Sequence, residues 1–404
     1  MTTFGEKMRA LMQERGVSLR QLAKLIHYDA GYLSKVASDV KRPSSSVAHR
    51  LETALDAEGE LVKLVPKRAV AEPRVPEAGA PIQASGSLPA PVVDPLVDRR
   101  MRRLSAGQTE ELLSDMREQW HVLVRTDNLL GSRHALGGVC TQLAILVALL
   151  CHIRPPLRRA TLRLAARYAE SAAWLYGDAG DPAAGRRWAR TAMEWALEAG
   201  DRPMIAWALF RRSQQAQSEG NGAQVVGLAE AACREQGDAA GPMMAAILQQ
   251  QAHGWALDGA EAASHRLLDR AHEYATTGDA GDARSGHGSF CTPAYVEMQR
   301  GWVWLTLGGH ERAVKAFEAA IADLSPTYQR DRGLAHAGLS IALAAEDKPE
   351  AAALAAAQAL AVAQDGGSTR IFSMVTSVAP RLVRHAHLDP VAEFLAELNA
   401  TSAL

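Results

Sequence analysis

The feature that most restricts how this chain can fold is a regular alternation of apolar helical stretches and short turns after residue 98. Apolar residues there recur with a period of about 3.6, and no stretch has the period of two that is typical of a β-strand. Five of the turns, which lie 38 to 50 residues apart, are Gly177–Gly180, Glu219–Asn221, Asp258–Gly259, Gly308–Gly309 and Glu346–Asp347. Further turns lie between them. This pattern predicts an all-α fold built from stacked helix–turn–helix units, an α-solenoid.

Residues 295–326 show the repeating unit most clearly. Small residues allow its two helices to approach each other and large residues fill the space to the next pair; they are Gly301, Trp304, Gly308, Ala313, Phe317 and Ala320. Their spacing resembles the tetratricopeptide (TPR) repeat, and weaker copies cover roughly residues 155–365. A generic array of helical hairpins, such as HEAT repeats, is the alternative. The glycine-rich stretch Gly278–Ser289 is interpreted as an insertion between units.

The N-terminal 65 residues contain a different helical pattern. Leu22, Ala23 and Ile26 form one face of a helix, and Leu33 and Val36 form the facing side of a second helix. Ala23 has to be small because the second helix crosses over it. The pattern predicts two crossed helices joined by a tight turn at residues 27–29.

Capping residues and flanking helices support this pair. Ser18, with Gln21 three residues later, predicts a capping box at the start of the first helix, and Asp29 is placed to cap the second. Two further amphipathic helices are predicted around the pair, with inward residues Phe4, Met8, Leu11 and Met12 before it and Val47, Leu51 and Leu55 after it. Crossed helices with such a support are typical of DNA-binding helix-turn-helix domains.

Three short sequences carry a family resemblance: SLRQLA from Ser18, GYLSKV from Gly31 and KRPS from Lys41. Over about residues 3–65 the chain resembles the XRE-type, lambda-repressor-like helix-turn-helix domain. One position departs from the family, because His27 stands where a glycine in a left-handed conformation is usual. Histidine tolerates that conformation better than most residues, so we expect a slightly strained turn.

The resemblance implies that the second helix of the pair enters the major groove of DNA with its N-terminus first. Lys35 is then the candidate for guanine recognition, and Tyr32 for a thymine methyl group or a phosphate. The predicted DNA-binding residues, of which Arg20, Lys41 and Arg42 are assigned to phosphates, are Arg20, Gln21, Ala30, Gly31, Tyr32, Ser34, Lys35, Lys41 and Arg42. Because few of them donate to bases, we predict a homodimer on an inverted-repeat operator in duplex DNA, with half-sites about 34 Å apart or a multiple of that distance.

Charge is distributed unevenly along the chain. Residues 1–70 carry 12 Lys+Arg against 8 Asp+Glu, and the remainder carries 32 against 37, which gives the net charge of -1. The overall charge excludes a protein that is basic throughout, but it allows a basic N-terminal module on an acidic body. Such a module is the electrostatic arrangement expected for nucleic-acid binding.

A proline-rich stretch separates the two helical regions. Residues 66–97 hold seven of the 18 prolines, which predicts an extended linker. The predicted organisation is therefore a helix-turn-helix domain at 1–65, a linker at 66–97, and a TPR-like sensor and dimerisation domain at 98–404.

A solenoid presents a concave surface lined by the first helix of each pair. Amide and guanidinium groups on those helices can bond the backbone or the terminal carboxylate of a peptide. The candidate ligand-binding residues are Arg211, Gln214, Gln215, Gln249, Gln250, His253, Glu297, Arg300, Arg330 and His336. An XRE-type domain followed by TPR-like helices is similar to the peptide-sensing quorum regulators of Gram-positive bacteria and to large actinobacterial regulators of this architecture.

That resemblance implies a transcriptional regulator whose repeats sense a ligand, either a signalling peptide or a small molecule. The alternative is a protein–protein interaction scaffold, in which the groove grips a partner and the N-terminal domain is a docking module. We found no metalloprotease, P-loop or nucleophile-elbow motif, so we predict no enzymatic activity and no cofactor.

Cysteine spacing and hydropathy exclude further classes. The four cysteines lie too far apart for a zinc or redox pair, so we predict no metal site and expect reduced thiols in a cytoplasmic protein. The N-terminus lacks the apolar region of a signal peptide. The longest apolar run, Leu143–Ile153, is too short to span a bilayer, which needs about 20 residues, so it predicts a buried helix and no membrane association.

Overall fold

A computed structural model of the chain describes residues 3–26, 30–41, 43, 45–57, 59–64, 90–236, 241–276 and 286–402. Within these ranges the regular secondary structure is helical, and none of these residues lies in a strand. The predicted all-α fold is therefore confirmed. Four predicted features lie outside the described residues: the turn with His27 and Asp29, the side chain of Arg42, the linker up to residue 89, and most of Gly278–Ser289.

The chain divides into two compact units. The first contains Met1–Arg74 and Val383–Ala396, and we call it the helix-turn-helix unit; the second contains Val75–Leu382 and Glu397–Leu404, and we call it the helical-repeat unit. A helix begins at Pro95, inside the predicted linker, where the Asp94 side chain accepts a hydrogen bond from the Leu96 N–H. The domain boundaries read from the sequence otherwise stay predictions.

The N-terminal part of the helix-turn-helix unit has the predicted helices, which are α1 (Phe4–Glu14), α2 (Leu19–Leu25), α3 (Ala30–Ala37) and α4 (Ser45–Leu55). A short 3-10 turn follows at Val62–Leu64. α1 packs against α3 and α4, and α2 packs against α3. The apolar residues predicted to face inward are buried in one core, including Leu22, Ala23, Ile26, Leu33 and Val36.

Polar groups fix the ends of these helices. The predicted capping box at α2 is present, because Ser18 accepts from the Gln21 N–H and Gln21 accepts from the Ser18 N–H. Asp39, just after α3, accepts from the Thr3 hydroxyl at 2.6 Å and from the Gly5 N–H at 2.8 Å. These two hydrogen bonds lower the pKa of Asp39. The carboxylate therefore ties the end of α3 to the start of α1.

The other helices form the repeats and the segments that flank them. They are α5 (Pro95–Met101), α6 (Ala106–Leu130), α7 (Ser132–Leu150), α8 (Leu157–Asp178), α9 (Pro182–Ala199), α10 (Arg202–Ser218), α11 (Gly222–Gln236), α12 (Pro242–Leu257), α13 (Glu261–Thr276), α14 (Pro293–Thr306), α15 (His310–Asp323), α16 (Gln329–Ala345), α17 (Pro349–Gly366), α18 (Thr369–Leu382) and α19 (Asp389–Ser402).

Helices α8 to α17 pack as five successive hairpins, and each first helix also contacts the first helix of the next hairpin. Packing in the best predicted unit follows its residue sizes. The fully buried ring of Phe317 on α15 lies against Gly301 on α14 and Gly338 on α16. The contact is so close that a Cβ at either glycine position would overlap the ring. This packing confirms the solenoid architecture, while the assignment to TPR repeats stays a resemblance.

α7 is long and apolar enough to cross a membrane by length and composition alone. It instead packs between α6 and α8, and half of the apolar window is buried. Its exposed positions are Arg133, His134, Gly137 and Thr141, whereas its large apolar side chains are buried or half-buried. This distribution is typical of a core helix, as predicted for the run that begins at Leu143.

The repeat array does not stay open, as an α-solenoid with a free groove would. Instead α6 contacts α16, α7 contacts α17 and α8 contacts α18, a set of contacts that we call the closure. Gly131 follows α6 with a φ of 87° and lies so close to Gly366 that a Cβ would overlap the backbone there. The predicted concave groove is therefore the lining of a partly open cavity.

A buried polar cluster holds the closure together. Arg330 on α16 donates to Asp127 on α6, and its Nε lies 3.5 Å from the carboxylate of Asp178 at the end of α8. Asp178 also accepts from the hydroxyl groups of Ser132 at 2.9 Å and Ser368 at 2.8 Å. One arginine and two carboxylates thus join the first helices of the array to the last.

Candidate DNA-binding surface and ligand cavity

The predicted recognition helix α3 has one buried and one accessible side. Leu33 and Val36 face the core, whereas Gly31, Ser34 and Lys35 are exposed. Ala30 and Tyr32 are half-buried and pack on the edge of the core. The ammonium group of Lys41 lies 5.1 Å from the centre of the Tyr32 ring, so the structure brings these two predicted contact residues together.

The first helix of the pair contributes less to this surface. Arg20 is exposed at the start of α2. Gln21 is also exposed, but its side-chain oxygen accepts from the N–H and the hydroxyl of Ser18. Gln21 therefore stabilises the N-terminus of α2, and only its amide NH₂ is left to meet DNA.

Charges in this unit are arranged asymmetrically. Three of its described carboxylates are engaged: Glu60 pairs with Lys7 at 2.6 Å, Asp56 pairs with Arg15, and Glu52 accepts from the backbone N–H groups of Gly59, Leu61 and Val62. Within the described residues, no ion pair is formed by the basic side chains of α2, α3 and the turn after it, which are Arg20, Lys24, Lys35 and Lys41. The helix pair therefore presents uncompensated positive charge, which attracts phosphates.

The helical-repeat unit contains a partly open cavity in two adjoining compartments of about 140 and 420 Å³. Volumes of this order suit a small ligand, for which pockets span about 300–1,000 Å³. The residues that line both compartments are Glu170, Trp174, Arg211, Tyr295, Leu334 and Arg370. They come from α8, α10, α14, α16 and α18, so the cavity exists only because the array closes.

Three guanidinium groups surround the Trp174 ring. Those of Arg211, Arg330 and Arg370 lie 4.3, 5.2 and 5.2 Å from the ring centre. Arg211 is neutralised by Glu170 at 2.6 Å, and Arg330 is neutralised by the closure carboxylates. The ring faces attract cations, so Trp174 holds the cluster in place.

Asp331 and Arg370 are the charged groups of the smaller compartment that remain unpaired. Within the described residues, neither makes an ion pair or a hydrogen bond. Burial raises the pKa of Asp331 to about 6, although the charges of Arg330 and Arg370 favour its ionised form. Arg370 lines the same compartment and is exposed to solvent.

Half of the predicted ligand-binding residues line this cavity: Arg211, Gln214, Gln215, Gln250 and Arg330. The others do not, since they are used elsewhere. Gln249 is fully buried and donates to the Ala246 carbonyl, and His253 is buried against Gln299 at 2.8 Å. Burial lowers the pKa of His253 to about 4, so this ring is neutral at pH 7.

The other three predicted ligand-binding residues, Glu297, Arg300 and His336, form ion pairs or pack within the helices and do not line the cavity. Arg300 pairs with Glu297 and with Asp269 on α13, away from the cavity lining. His336 is half-buried within α16, and burial lowers its pKa. Helical spacing predicts that all these residues line the groove. Spacing alone cannot tell a side of the helix that packs on the next hairpin from a side that faces the cavity.

The sequence interpretation missed the residues that define the cavity most sharply. Trp174, Tyr295 and Asp331 lie on first helices of hairpins, where the same rule that found Arg211 applies. In the sequence pattern a large residue such as Trp304 fills the space between hairpins, so Trp174 is not distinguished from a packing residue. Arg370 lies on α18, beyond the stretch with repeat spacing, so only the closure reveals it.

Comparison with known proteins agrees with the N-terminal geometry. A family model described as a helix-turn-helix domain matches residues 3–65. No curated protein matches the chain. The match covers the predicted XRE-type segment, so the N-terminal part of the chain carries a helix-turn-helix domain, the kind of domain found in DNA-binding regulators.

Proposed function

We propose that this protein is a cytoplasmic transcriptional regulator that binds an inverted-repeat operator as a homodimer and senses a ligand through its helical-repeat unit. The observation that carries the proposal is the surface of α3, where exposed Ser34 and Lys35 stand among basic side chains that form no ion pair within the part of the chain that the structure describes. Phosphate attraction supplies affinity, and the N-terminal turn of α3 supplies base contacts.

Dimerisation follows from how little of α3 can read bases. Gly31 has no side chain, Ala30 has only a methyl group, and Lys35 is the one long donor on the exposed side of the helix. A single domain of this kind gains few base contacts, each good one contributing about 1–3 kcal/mol. Two domains on one duplex double those contacts and match the twofold symmetry of an inverted repeat.

Ligand sensing is supported by the cavity. A pocket with buried charged and aromatic walls is the default binding site of a domain. For the ligand to change DNA binding, it must bind one arrangement of the dimer better than the other. Either a peptide or a small molecule meets this requirement.

Salt dependence tests the DNA-binding proposal. Three phosphate contacts per domain, from Arg20, Lys41 and Arg42, give six in a dimer. We expect the affinity for an operator fragment selected from genomic DNA to fall by roughly 10³-fold between about 50 and about 200 mM salt. Fluorescence anisotropy of the full chain with labelled duplex measures this. A flat response, or no binding, would favour the scaffold alternative.

Replacement of Lys35 by alanine tests base recognition. We expect Lys35→Ala to lose about 1–3 kcal/mol of discrimination at one base pair, because a donor to guanine O6 and N7 is removed, while non-specific binding changes little. Competition with operators mutated one pair at a time gives the measurement. Lys63→Ala is the control, since Lys63 is an exposed lysine of the 3-10 turn outside the helix pair. Unchanged discrimination in Lys35→Ala would mean that another side of α3 meets the bases.

A further inference from the structure

Two opposite charges face the same small compartment without touching each other. Asp331 on α16 and Arg370 on α18 both line it, and they are not within ion-pair distance. The neighbouring charges already have partners, since Arg211 is paired with Glu170 and Arg330 with Asp127 and Asp178. The compartment therefore has one cation and one anion to offer.

Asp331 is the costly member of this pair. It is half-buried and has no partner among the described residues, and a charge removed from water without a partner carries a penalty that a hydrogen-bonding partner offsets, whereas Arg370 is exposed to solvent. The two groups would offset each other by pairing directly, but α16 and α18 hold them apart. A bound molecule with one group of each sign would satisfy both.

The charged groups converge near one hydroxyl. Tyr295 is buried and lines both compartments; its backbone N–H donates to the Thr292 hydroxyl, and its own hydroxyl has no partner among the described residues. Tyr295 lines the smaller compartment together with Asp331, Arg370 and Arg211. Its hydroxyl is therefore available for a hydrogen bond to a molecule bound there.

The adjoining larger compartment has a wall of mixed character. Polar residues such as Gln214, Gln215 and Gln250 line part of it, and an apolar ligand body would meet the remaining patch of small and apolar residues, which includes Ala173, Ala189, Ala192, Ala208, Leu334 and Met374. The larger compartment adjoins the charged compartment at Trp174 and Arg370, which line both. A ligand can therefore place its charged end in one compartment and its apolar end in the other.

We propose that the cavity binds a small zwitterion, whose carboxylate pairs with Arg370, whose ammonium group pairs with Asp331, and whose apolar body fills the larger compartment. The inference rests on the proposed sensing function and specifies its ligand. Guanidinium and carboxylate groups bond in a planar, charge-assisted geometry, and an ammonium group donates up to three hydrogen bonds. The size of the cavity fits an amino acid or a dipeptide.

Isothermal titration calorimetry on the full chain at about pH 7.5 tests this ligand class. The probes are L-leucine, L-phenylalanine and L-leucyl-L-phenylalanine, each also as the N-acetyl derivative and as the carboxamide. We expect at least one zwitterion to bind, and blocking either end to weaken binding by at least about tenfold, because a charge-assisted hydrogen bond is lost. The inference is wrong if none of the three zwitterions binds, or if a blocked derivative binds as tightly as its parent.

Two variants assign the ends of the ligand to the two residues. In Arg370→Met the parent compound and its carboxamide should bind equally weakly, whereas in Asp331→Asn the parent and its N-acetyl derivative should do so. General damage to the fold would weaken all compounds in parallel and would not produce this crossed pattern. Arg381→Met, an exposed arginine on the same helix, is the control and should retain the affinity of the unmodified chain. If Arg370→Met still discriminates against the carboxamide, the carboxylate is held elsewhere.

DNA binding, measured on the same preparations, separates this inference from the proposed function. If the chain binds DNA but no zwitterion, the ligand assignment is wrong and the proposed DNA-binding function stands. If the chain binds a zwitterion but no DNA, the proposed DNA-binding function is wrong and the ligand assignment stands. Binding of a longer peptide with both ends blocked would leave ligand sensing in place but contradict a site built for two free charges.

Discussion

Replacing Arg330 by methionine is expected to destabilise the helical-repeat unit by about 3–5 kcal/mol. Arg330 is buried between Asp127 on α6 and Asp178 at the end of α8, and both carboxylates are themselves buried. Removing one partner of a buried ion pair leaves uncompensated charge in a medium that solvates it poorly, and costs of this size follow. The serines that donate to Asp178 satisfy part of one carboxylate only.

Tryptophan fluorescence during urea unfolding measures this loss selectively, because all eight tryptophans lie in the helical-repeat unit. Arg381→Met serves as the control and should change stability by less than about 0.5 kcal/mol, as expected for an exposed side chain. Adding Asp127→Leu to Arg330→Met should recover part of the loss, since one of the two stranded carboxylates is then absent. A cost below about 1 kcal/mol for Arg330→Met alone would mean that the closure opens readily and admits water to the carboxylates.

Much of the helix-turn-helix unit could be predicted because its determinants are local. The two helix faces, the capping box at Ser18 and the supporting helices each follow from residues within one or two turns of one another. Apolar spacing and capping chemistry act over that range, so a single sequence displays them. The same local rules located the hairpins of the repeat region from their glycine turns.

The closure and the cavity could not be predicted in this way. Arg330 meets Asp127 across about half the chain, and Gly131 meets Gly366 across even more of it. Asp178 stands in a stretch that predicts a turn, and aspartate is common in turns, so nothing local indicates that it accepts hydrogen bonds from Ser132 and Ser368 and forms an ion pair with Arg330. Small rotations from one hairpin to the next accumulate to decide whether an array closes, and periodicity does not report them.

This limit explains why only half of the predicted ligand-binding residues line the cavity. First-helix position placed Arg211 and Gln250 at the cavity, but it also selected Gln249, the adjacent residue of the same helix, which does not line the cavity. Adjacent residues on a helix point about 100° apart, so a rule based on the helix alone cannot separate them. What separates them is their contacts: Gln250 donates to Gln217 of the preceding hairpin, which also lines the cavity, whereas Gln249 donates to the Ala246 carbonyl of its own helix.

The packing of Phe317 leads to the second large effect. Phe317→Ala is expected to cost about 3–5 kcal/mol, because a fully buried ring between α14 and α16 is removed and the surrounding helices cannot close the gap. Gly338→Ala alone is expected to cost about 1–2 kcal/mol. Its new methyl group overlaps the Phe317 ring, and overpacking of about 1–3 kcal/mol exceeds the gain of up to about 1 kcal/mol from replacing glycine in a helix.

In the Phe317→Ala background, Gly338→Ala is expected to stabilise the protein instead of destabilising it. Once the ring is gone, the methyl group at position 338 meets open space, so Gly338→Ala in the Phe317→Ala background is expected to stabilise by about 0.5–1 kcal/mol through helix propensity and partial filling of the cavity. Gly227→Ala, in α11 with no atom near the added Cβ, should stabilise by a similar amount in both backgrounds. Urea unfolding followed by tryptophan fluorescence gives all four free energies. A Gly338→Ala effect that is equal in the two backgrounds would show that the glycine is required for some reason other than the ring, because contact between the two residues is the only source of this coupling.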